Sequence, residues 1–316
     1  MRTLAIFLFV SVAACVLSPA QQFNNFIVKH KRQYASAEER STRFEIFKDN
    51  LKEIKRLNDL HDGVTYGITQ FADMTQEEFL FKYTNMPQMN SHFKADTTAA
   101  YKGVSIPESY DCRDHGLVTP VKDQGQCGSC WAFSAAQNAE GIWASEGNTL
   151  IKLSPQQLVD CATAAKYGCQ GCDGGYPDKA GQYIVDVGGI ELEEDYPYQG
   201  VQGTCKFNKN RVAASFSAVE TIKSTDEALA EYLVNYGPVM VGVHADARWQ
   251  LYNGGIISSK CYLFNHAVLA VGYGVENGKK YWIVKNSWAE TWGEDGYIRI
   301  TRGDNCLCKA AFSVVA

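Results

Sequence analysis

No cysteine lies between residues 21 and 104, although the 316-residue chain has eleven. Cys15 precedes that gap, and the other ten fall from Cys112 to Cys308. A cysteine-free front is therefore followed by a cysteine-rich body. Asn-x-Ser/Thr is also absent, which leaves N-glycan-dependent sorting unsupported. No long apolar run follows residue 17, so a second membrane segment is not expected. Repeats and low-complexity tracts are missing, which excludes solenoids and fibrous designs. A basic patch is missing too: residues 21–104 carry 12 Lys+Arg and 11 Asp+Glu, and residues 105–316 carry 17 and 24. The net charges of +1 and −7 point away from a nucleic-acid partner.

What is present fits a globular chain of about two domains, with 46% hydrophobic residues to build cores. The first twenty residues read as a signal peptide. Arg2 gives the positive n-region, residues 4–17 are apolar apart from Ser11, and Ser18-Pro19-Ala20 offers a small-residue cleavage site. A transmembrane anchor is the competing reading, but the run falls short of the ~20 residues a span needs. Cleavage is expected after Ala20, into the secretory pathway. An oxidising compartment suits the cysteine content.

Residues 38–60 predict one long helix. Phe44, Phe47, Leu51, Ile54 and Leu57 recur at three- and four-residue steps, and Ser36 with Glu39 suggests a capping box. A shorter helix is predicted over 75–82, and an extended linker over 85–104. In the body, Gln124-Gly125-Gln126-Cys127-Gly128-Ser129-Cys130-Trp131 leads into an Ala-rich stretch with Trp131, Ala135, Ala139 and Ile142 at helical spacing. Cys130 thus opens a helix, whose positive end favours a thiolate. The Cys127-x-x-Cys130 and Cys169-x-x-Cys172 spacings also allow a redox dithiol or a zinc site. The 38 intervening residues exceed the roughly 15–20 of common zinc modules. A thiolate nucleophile needs a base, and the body offers only His115, His244 and His266. His266 opens an apolar strand. Asn286 ends another, Tyr281 to Asn286, with Trp288 close behind.

Cys-Gly-Ser-Cys-Trp, Asn265-His266-Ala267, and Asn286-Ser287-Trp288 resemble the papain family of cysteine peptidases, with His266 lying 136 residues beyond Cys130. In the front, Glu39, Arg43, Phe47, Asn50, Ile54 and Asn58 resemble the inhibitory propeptide of cathepsin L-like members. So does Gly67-x-Thr69-x-Phe71-x-Asp73, although Thr69 stands where the family has Asn. The resemblance covers nearly everything after the signal peptide. It implies an α+β, papain-like two-domain fold: a helical left domain, a β-barrel-like right domain, and an α-helical propeptide. The divisions expected are 1–20, 21–104 and 105–316, with processing near Val104 to Ile106.

The roles implied are Cys130 as nucleophile, His266 as base, Asn286 as orienter and Gln124 as oxyanion donor. Gly174, Gly175, Tyr176, Pro177, Gly242, Asn265, Ala267, Trp288 and Ser313 are implied to bind substrate. Gly242 and Ser313 are placed by counting from Pro238 and Cys308. No acid closes the pocket for the second residue before the scissile bond, so a bulky apolar residue is expected there. Disulfides carry over as Cys127–Cys172, Cys161–Cys205 and Cys261–Cys308, with Cys112–Cys306 a fourth and Cys169 left single. Neither a metal nor a cofactor is implied. Protein substrates, the chain's own propeptide and cystatin-like inhibitors are the partners, and a monomer is expected. No histidine lies in 161–172 and no cysteine in the pro-segment, which favours endopeptidase over exopeptidase action. A catalytically dead binding module and a pro-segment-type inhibitor are the other classes. The four catalytic positions speak against both.

Overall fold

The computed structural model describes residues 17–84, 97–163, 165–258, 263–304 and 306–316. The apolar core of the expected signal peptide and most of the expected linker lie outside them. The helices are α1 (Pro19–Lys29), α2 (Ala37–Asn58), α3 (Gln76–Tyr83), α4 (Cys130–Ser145), α5 (Pro155–Cys161), α6 (Pro177–Val187) and α7 (Asp226–Asn235). Among the described residues no helix is long and apolar enough to cross a membrane.

Composition did not predict α1. Ser18 caps it in a reciprocal box with Gln21, so cleavage after Ala20 would remove that cap. On α2, Ser36 accepts from the Glu39 amide at 3.1 Å. The Glu39 carboxylate reaches past the cap residue to the Ala35 amide, at 2.6 Å, so the predicted box is only half formed.

The apolar stripe of α2 divides between two cores. Phe47, with Phe44 and Leu51 beside it, packs with Phe23 and Phe26 of α1 and with Ala72, in a small core of the front segment. Leu57 and Ile54 join the main core, as do Phe71, Phe79 and Tyr83. The polar positions of the front motif bridge α2 to the chain around α3. Asn50 Nδ2 donates to Ala72 O and Met74 O, both at 2.8 Å. Arg43 pairs with Glu78 at 2.7 Å, Arg32 pairs with Asp73 at 2.8 Å, and Asn58 brackets the Tyr66 backbone at 2.9 Å.

The strands are β1 (Val64–Tyr66), β2 (Thr97–Thr98), β3 (Tyr110–Asp111), β4 (Ile190–Glu191), β5 (Val212–Ala214), β6 (Ala218–Thr221), β7 (Val239–Val243), β8 (Tyr252–Ile257), β9 (His266–Glu276), β10 (Lys279–Lys285), β11 (Tyr297–Thr301) and β12 (Ala311–Val315). The main sheet runs β1-β8-β11-β10-β9-β7-β12-β6-β2, with β3 also on β9. Both ends of that order, β1 and β2, come from the front segment. It therefore covers the two sheet edges that the body alone would leave open.

Helix α4 is buried from Cys130 to Ile142. A helix apolar on one face only could not occupy this position. Its polar residues are paired inside. Asn138 Nδ2 donates to Pro238 O at 2.7 Å, and Glu140 meets Lys122 at 2.7 Å and Thr119 at 2.5 Å. Packed between the sheet and α5–α6, α4 fixes the position of its own first residue, Cys130.

Candidate active site

Cys130 is the first residue of α4, His266 the first of β9, and Asn286 follows β10 directly. Strand pairing aligns the last two: β9 and β10 are antiparallel neighbours, with Leu269 opposite Lys285. His266 Nε2 lies 2.8 Å from Asn286 Oδ1, and both residues are buried. The same Oδ1 accepts from the Ser287 amide at 2.9 Å. His266 Nδ1 is buried and has no hydrogen-bond partner among the described residues.

Trp288 stacks on the imidazole at 4.7 Å between centroids, and Trp249 meets it edge-on at 6.2 Å. Trp292 packs on both indoles. These three rings keep water from the His266–Asn286 bond. Burial holds the imidazole down at about 4, against the upward pull of Asn286. Trp249 sits in a short 3-10 turn, Ala247–Leu251, and so carries no periodic signal in the sequence.

Cys130 is fully buried, and burial pushes its thiol up to about 11. The Ala267, Trp131 and Cys130 backbone groups pull it down. The helix end expected to favour a thiolate is therefore present but overridden by desolvation.

Gln124 is held at three points. Its amide donates to Ser287 O at 2.9 Å, its Oε1 accepts from Ser287 Oγ at 2.6 Å, and its Nε2 donates to Cys127 O at 3.1 Å. One Nε2 hydrogen remains for a further acceptor. Tyr198, absent from the predicted set, clamps this loop from behind. Its hydroxyl donates to Gln124 O at 2.7 Å and lies 2.7 Å from Ser129 Oγ, while its ring meets Phe133 edge-on. One phenol thus ties the residue that carries the side-chain amide to the residue before Cys130.

The other expected binding residues fall in two groups. Gly174, Gly175, Tyr176 and Pro177 run from a 3-10 turn into α6. A Cβ on Gly175 would lie 2.6 Å from the Trp131 indole, so packing demands glycine there. Gly242 pairs with Ala267 across β7 and β9. Asn265 Nδ2 donates to Ala245 O at 3.0 Å and to Thr84 Oγ1 of the front segment at 3.3 Å.

Ser313 does not join them. It is buried, and its hydroxyl accepts from Asn138 of α4 at 3.0 Å and donates to Val314 O. The count to Ser313 began at Cys308, which is a free thiol, whereas Cys306 is the disulfide-bonded cysteine. Starting from Cys306 moves the position back two residues to Ala311, which pairs with Val241 beside Gly242.

Two further cysteine assignments are corrected for the same reason. Cys308 lies against Asp226 Oδ1 at 3.1 Å, so Cys261–Cys308 does not form. Cys112 is free and buried by Leu233 O, so Cys112–Cys306 does not form either. Cys261 lies outside the described residues. Cys127–Cys172 and Cys161–Cys205 are disulfides, and Cys169 is a free thiol whose sulfur accepts from the Tyr176 amide at 3.5 Å. No group of three metal-ligating side chains exists among the described residues.

The front segment seats on this site. Phe71, Phe79 and Tyr83 surround the Trp288 indole at 5.3–6.2 Å, and Gln70 Nε2 donates to Trp288 O. Thr69 Oγ1 donates to Gln250 O at 2.5 Å, and Gln250 Nε2 returns bonds to Phe71 O and Met74 O at 2.9 and 2.7 Å. Thr69 therefore keeps a polar tie to the body in place of the expected Asn.

Comparison with known proteins agrees with this two-part organisation. Residues 106–316 match the model of the papain family cysteine proteases, and residues 23–79 match the cathepsin propeptide inhibitor domain. Digestive cysteine proteinase 1 of Homarus americanus is 40% identical, over 98% of this chain and 98% of its own. Cysteine proteinase RD21A of Arabidopsis thaliana is 41% identical over 89% of this chain, which spans only 62% of that longer protein. The solved digestive procathepsin L 3 of Tenebrio molitor larval midgut superposes with a TM-score of 0.87 at 35% identity, covering 94% of this chain and 99% of that one. The cysteine at the head of a buried helix, the histidine–asparagine pair across two strands and the helical segment seated over both have one common source: the chain belongs to the papain family of cysteine proteases, as a cathepsin-type zymogen with its inhibitory propeptide in place.

Proposed function

We propose that the mature enzyme is an endopeptidase working through a Cys130 thiolate and a His266 imidazolium. The observation that carries this reading is the 2.8 Å His266–Asn286 bond, which occupies Nε2 and leaves Nδ1 as the proton carrier. Cys130 attacks the scissile carbonyl, and the oxyanion takes the spare Gln124 Nε2 hydrogen and the Cys130 amide. Collapse expels the amine, which receives the proton from His266. Water, deprotonated by His266, then hydrolyses the thioester. Tyr176, Pro177, Gly242, Ala267 and Ala311 offer aromatic, apolar or small surface to the second residue before the scissile bond (P2), so a bulky apolar residue is preferred there. Glycines 174 and 175 let an extended substrate backbone approach. Entry into the secretory pathway through residues 1–20, lysosomal or extracellular action and inhibition by cystatin-like proteins belong to the same reading.

A cleavage profile on a peptide library tests it. Leu, Phe, Tyr or Val should dominate at P2, with activity abolished in Cys130→Ala. An acidic or basic P2 preference would sink the pocket assignment, and residual activity in Cys130→Ala would sink the mechanism.

Tyr198→Phe probes the oxyanion side. It removes both hydroxyl bonds and keeps the ring on Phe133. Losing these two bonds, at a net cost of about 1 kcal/mol to the transition state, should lower kcat roughly fivefold. KM should barely change, and a peptide aldehyde that mimics the tetrahedral state should bind more weakly. An unchanged kcat would remove Tyr198 from the catalytic framework.

A further inference from the structure

The junction between propeptide and body is docked. Thr97 and Thr98 pair in parallel with β6, and the Ala99 amide donates to Thr221 O at 2.9 Å. The chain then turns at Gly103, where φ is +67°. The amides on either side of that glycine donate to a single carboxylate, that of Glu231 on α7. Lys102 N lies 2.8 Å from Oε1, and Val104 N lies 3.1 Å from Oε2. Glu231 is 4% exposed and has no ion-pair partner among the described residues. Lys102 flanks the glycine, Lys223 Nζ sits 5.0 Å over the Tyr101 ring, and Asp226 and Glu227 occupy the first turn of α7. The carboxylate is thus held mainly by two neutral donors, one on each side of the bond at which propeptide can end.

We propose that Glu231 is the receptor for the mature N-terminus, and that this terminus is Gly103, produced by hydrolysis of the Lys102–Gly103 bond. The choice of bond rests on the apolar P2 preference proposed above. Cutting there places Tyr101, 41% exposed, at P2. The Ser105–Ile106 bond also places an apolar residue, Val104, at P2, and the carboxylate decides between the two. A cut at Ser105–Ile106 strips Glu231 of both donors and leaves a buried charge uncompensated. A cut at Lys102–Gly103 adds water across the peptide bond. Lys102 departs with the new carboxylate, Gly103 keeps the amine and takes a proton, and Val104 N stays on Oε2. Rotation at the glycine brings the ammonium to Oε1, where Lys102 N had been. A bond in which only the carboxylate is charged is exchanged for one in which donor and acceptor are both charged.

Two measurements test this. Intact-mass and N-terminal analysis of self-processed enzyme should find Gly103; a start at Ile106 overturns the scissile bond. Separately, the recognition sequence of an unrelated protease is placed to end at residue 102 in the Cys130→Ala chain, so that Gly103 is exposed whatever the enzyme's own specificity. Acetic anhydride at pH 8 should then acetylate the Gly103 amine at least about tenfold more slowly with Glu231 than with Glu231→Gln, because the ion pair lifts the amine above its ordinary ~7.7–8.0. A Glu231 sample cut to begin at Tyr101 should label at the unprotected rate, which serves where the Gln variant fails to fold. Equal rates for the Gly103 and Tyr101 starts overturn the receptor. An error in the P2 preference alone moves the self-cut and leaves the labelling difference intact.

Discussion

Iodoacetamide at pH 7 will alkylate Cys130 at least about a thousandfold more slowly in the intact zymogen than in the processed enzyme. The thiol of the zymogen is fully buried and pushed up to about 11. At pH 7 that corresponds to a thiolate fraction of roughly one in ten thousand, and the thiolate is the reacting species. The neighbouring imidazole gives no help, because burial holds it at about 4 and therefore neutral. Removing the propeptide restores water to the cleft. The helix end and an imidazolium then both favour the anion, as in Cys–His pairs whose thiol falls to about 3–4. The other free thiols are internal controls. Cys169 is pushed up to about 12 by burial, and Cys112 and Cys308 are also raised by burial; the three contact Tyr176, Leu233 and Asp226 of the body. Peptide mapping should show these three slow in both forms. Alkylation of Cys130 at rates within tenfold of each other would mean that the zymogen already holds a charged pair, and the neutral resting state would be wrong.

That neutral state was not legible in the sequence. Cys130, His266, Asn286 and Gln124 could be named because their flanking motifs resemble those of the family; composition alone marked only the element boundaries at which they sit. Their electrostatics depend on what covers them, and the cover comes from residues about 50–200 positions away in sequence. The same limit explains Tyr198 and Trp249, which act through long-range contacts with no periodicity of their own. It also explains the cysteines. The resemblance placed a disulfide on Cys308, because it does not distinguish that residue from Cys306 two positions earlier; the contact with Asp226 does. The front motif shows the opposite case. Arg43, Asn50 and Asn58 lie on one helix at steps set by its pitch. Their partners around Tyr66 and Asp73 follow within one short segment, so a local pattern encodes a local structure.

Acid should loosen the propeptide in two stages, and His266 should account for the first. The folded imidazole lies at about 4 against an ordinary 6.5. For a histidine held down in this way the covered state is favoured above 6.5, and that advantage is lost as pH falls toward 4. The difference corresponds to about 3 kcal/mol, or a weakening of propeptide binding of roughly two hundredfold. The Arg43–Glu78 pair acts later. Burial raises Glu78, but its bonds to Arg43 and the Thr75 amide together outweigh that and lower it, so its contribution is present above about 4.5 and lost below that. His30, half-buried against Phe26 and also lowered to about 4, titrates in the first window. Its exposure reduces its share. The Cys130→Ala enzyme isolates the effect, because without the thiolate His266 returns to an ordinary value once uncovered. Calorimetric binding of residues 21–104 to that enzyme should weaken by close to one decade per pH unit between about 6 and 4.5. His266→Gln should flatten this limb and keep the steeper loss below 4.5, whereas His30→Gln should change the limb only slightly. A limb of unchanged slope in His266→Gln would assign the proton uptake to the propeptide's own charges and leave the catalytic histidine without a part in activation.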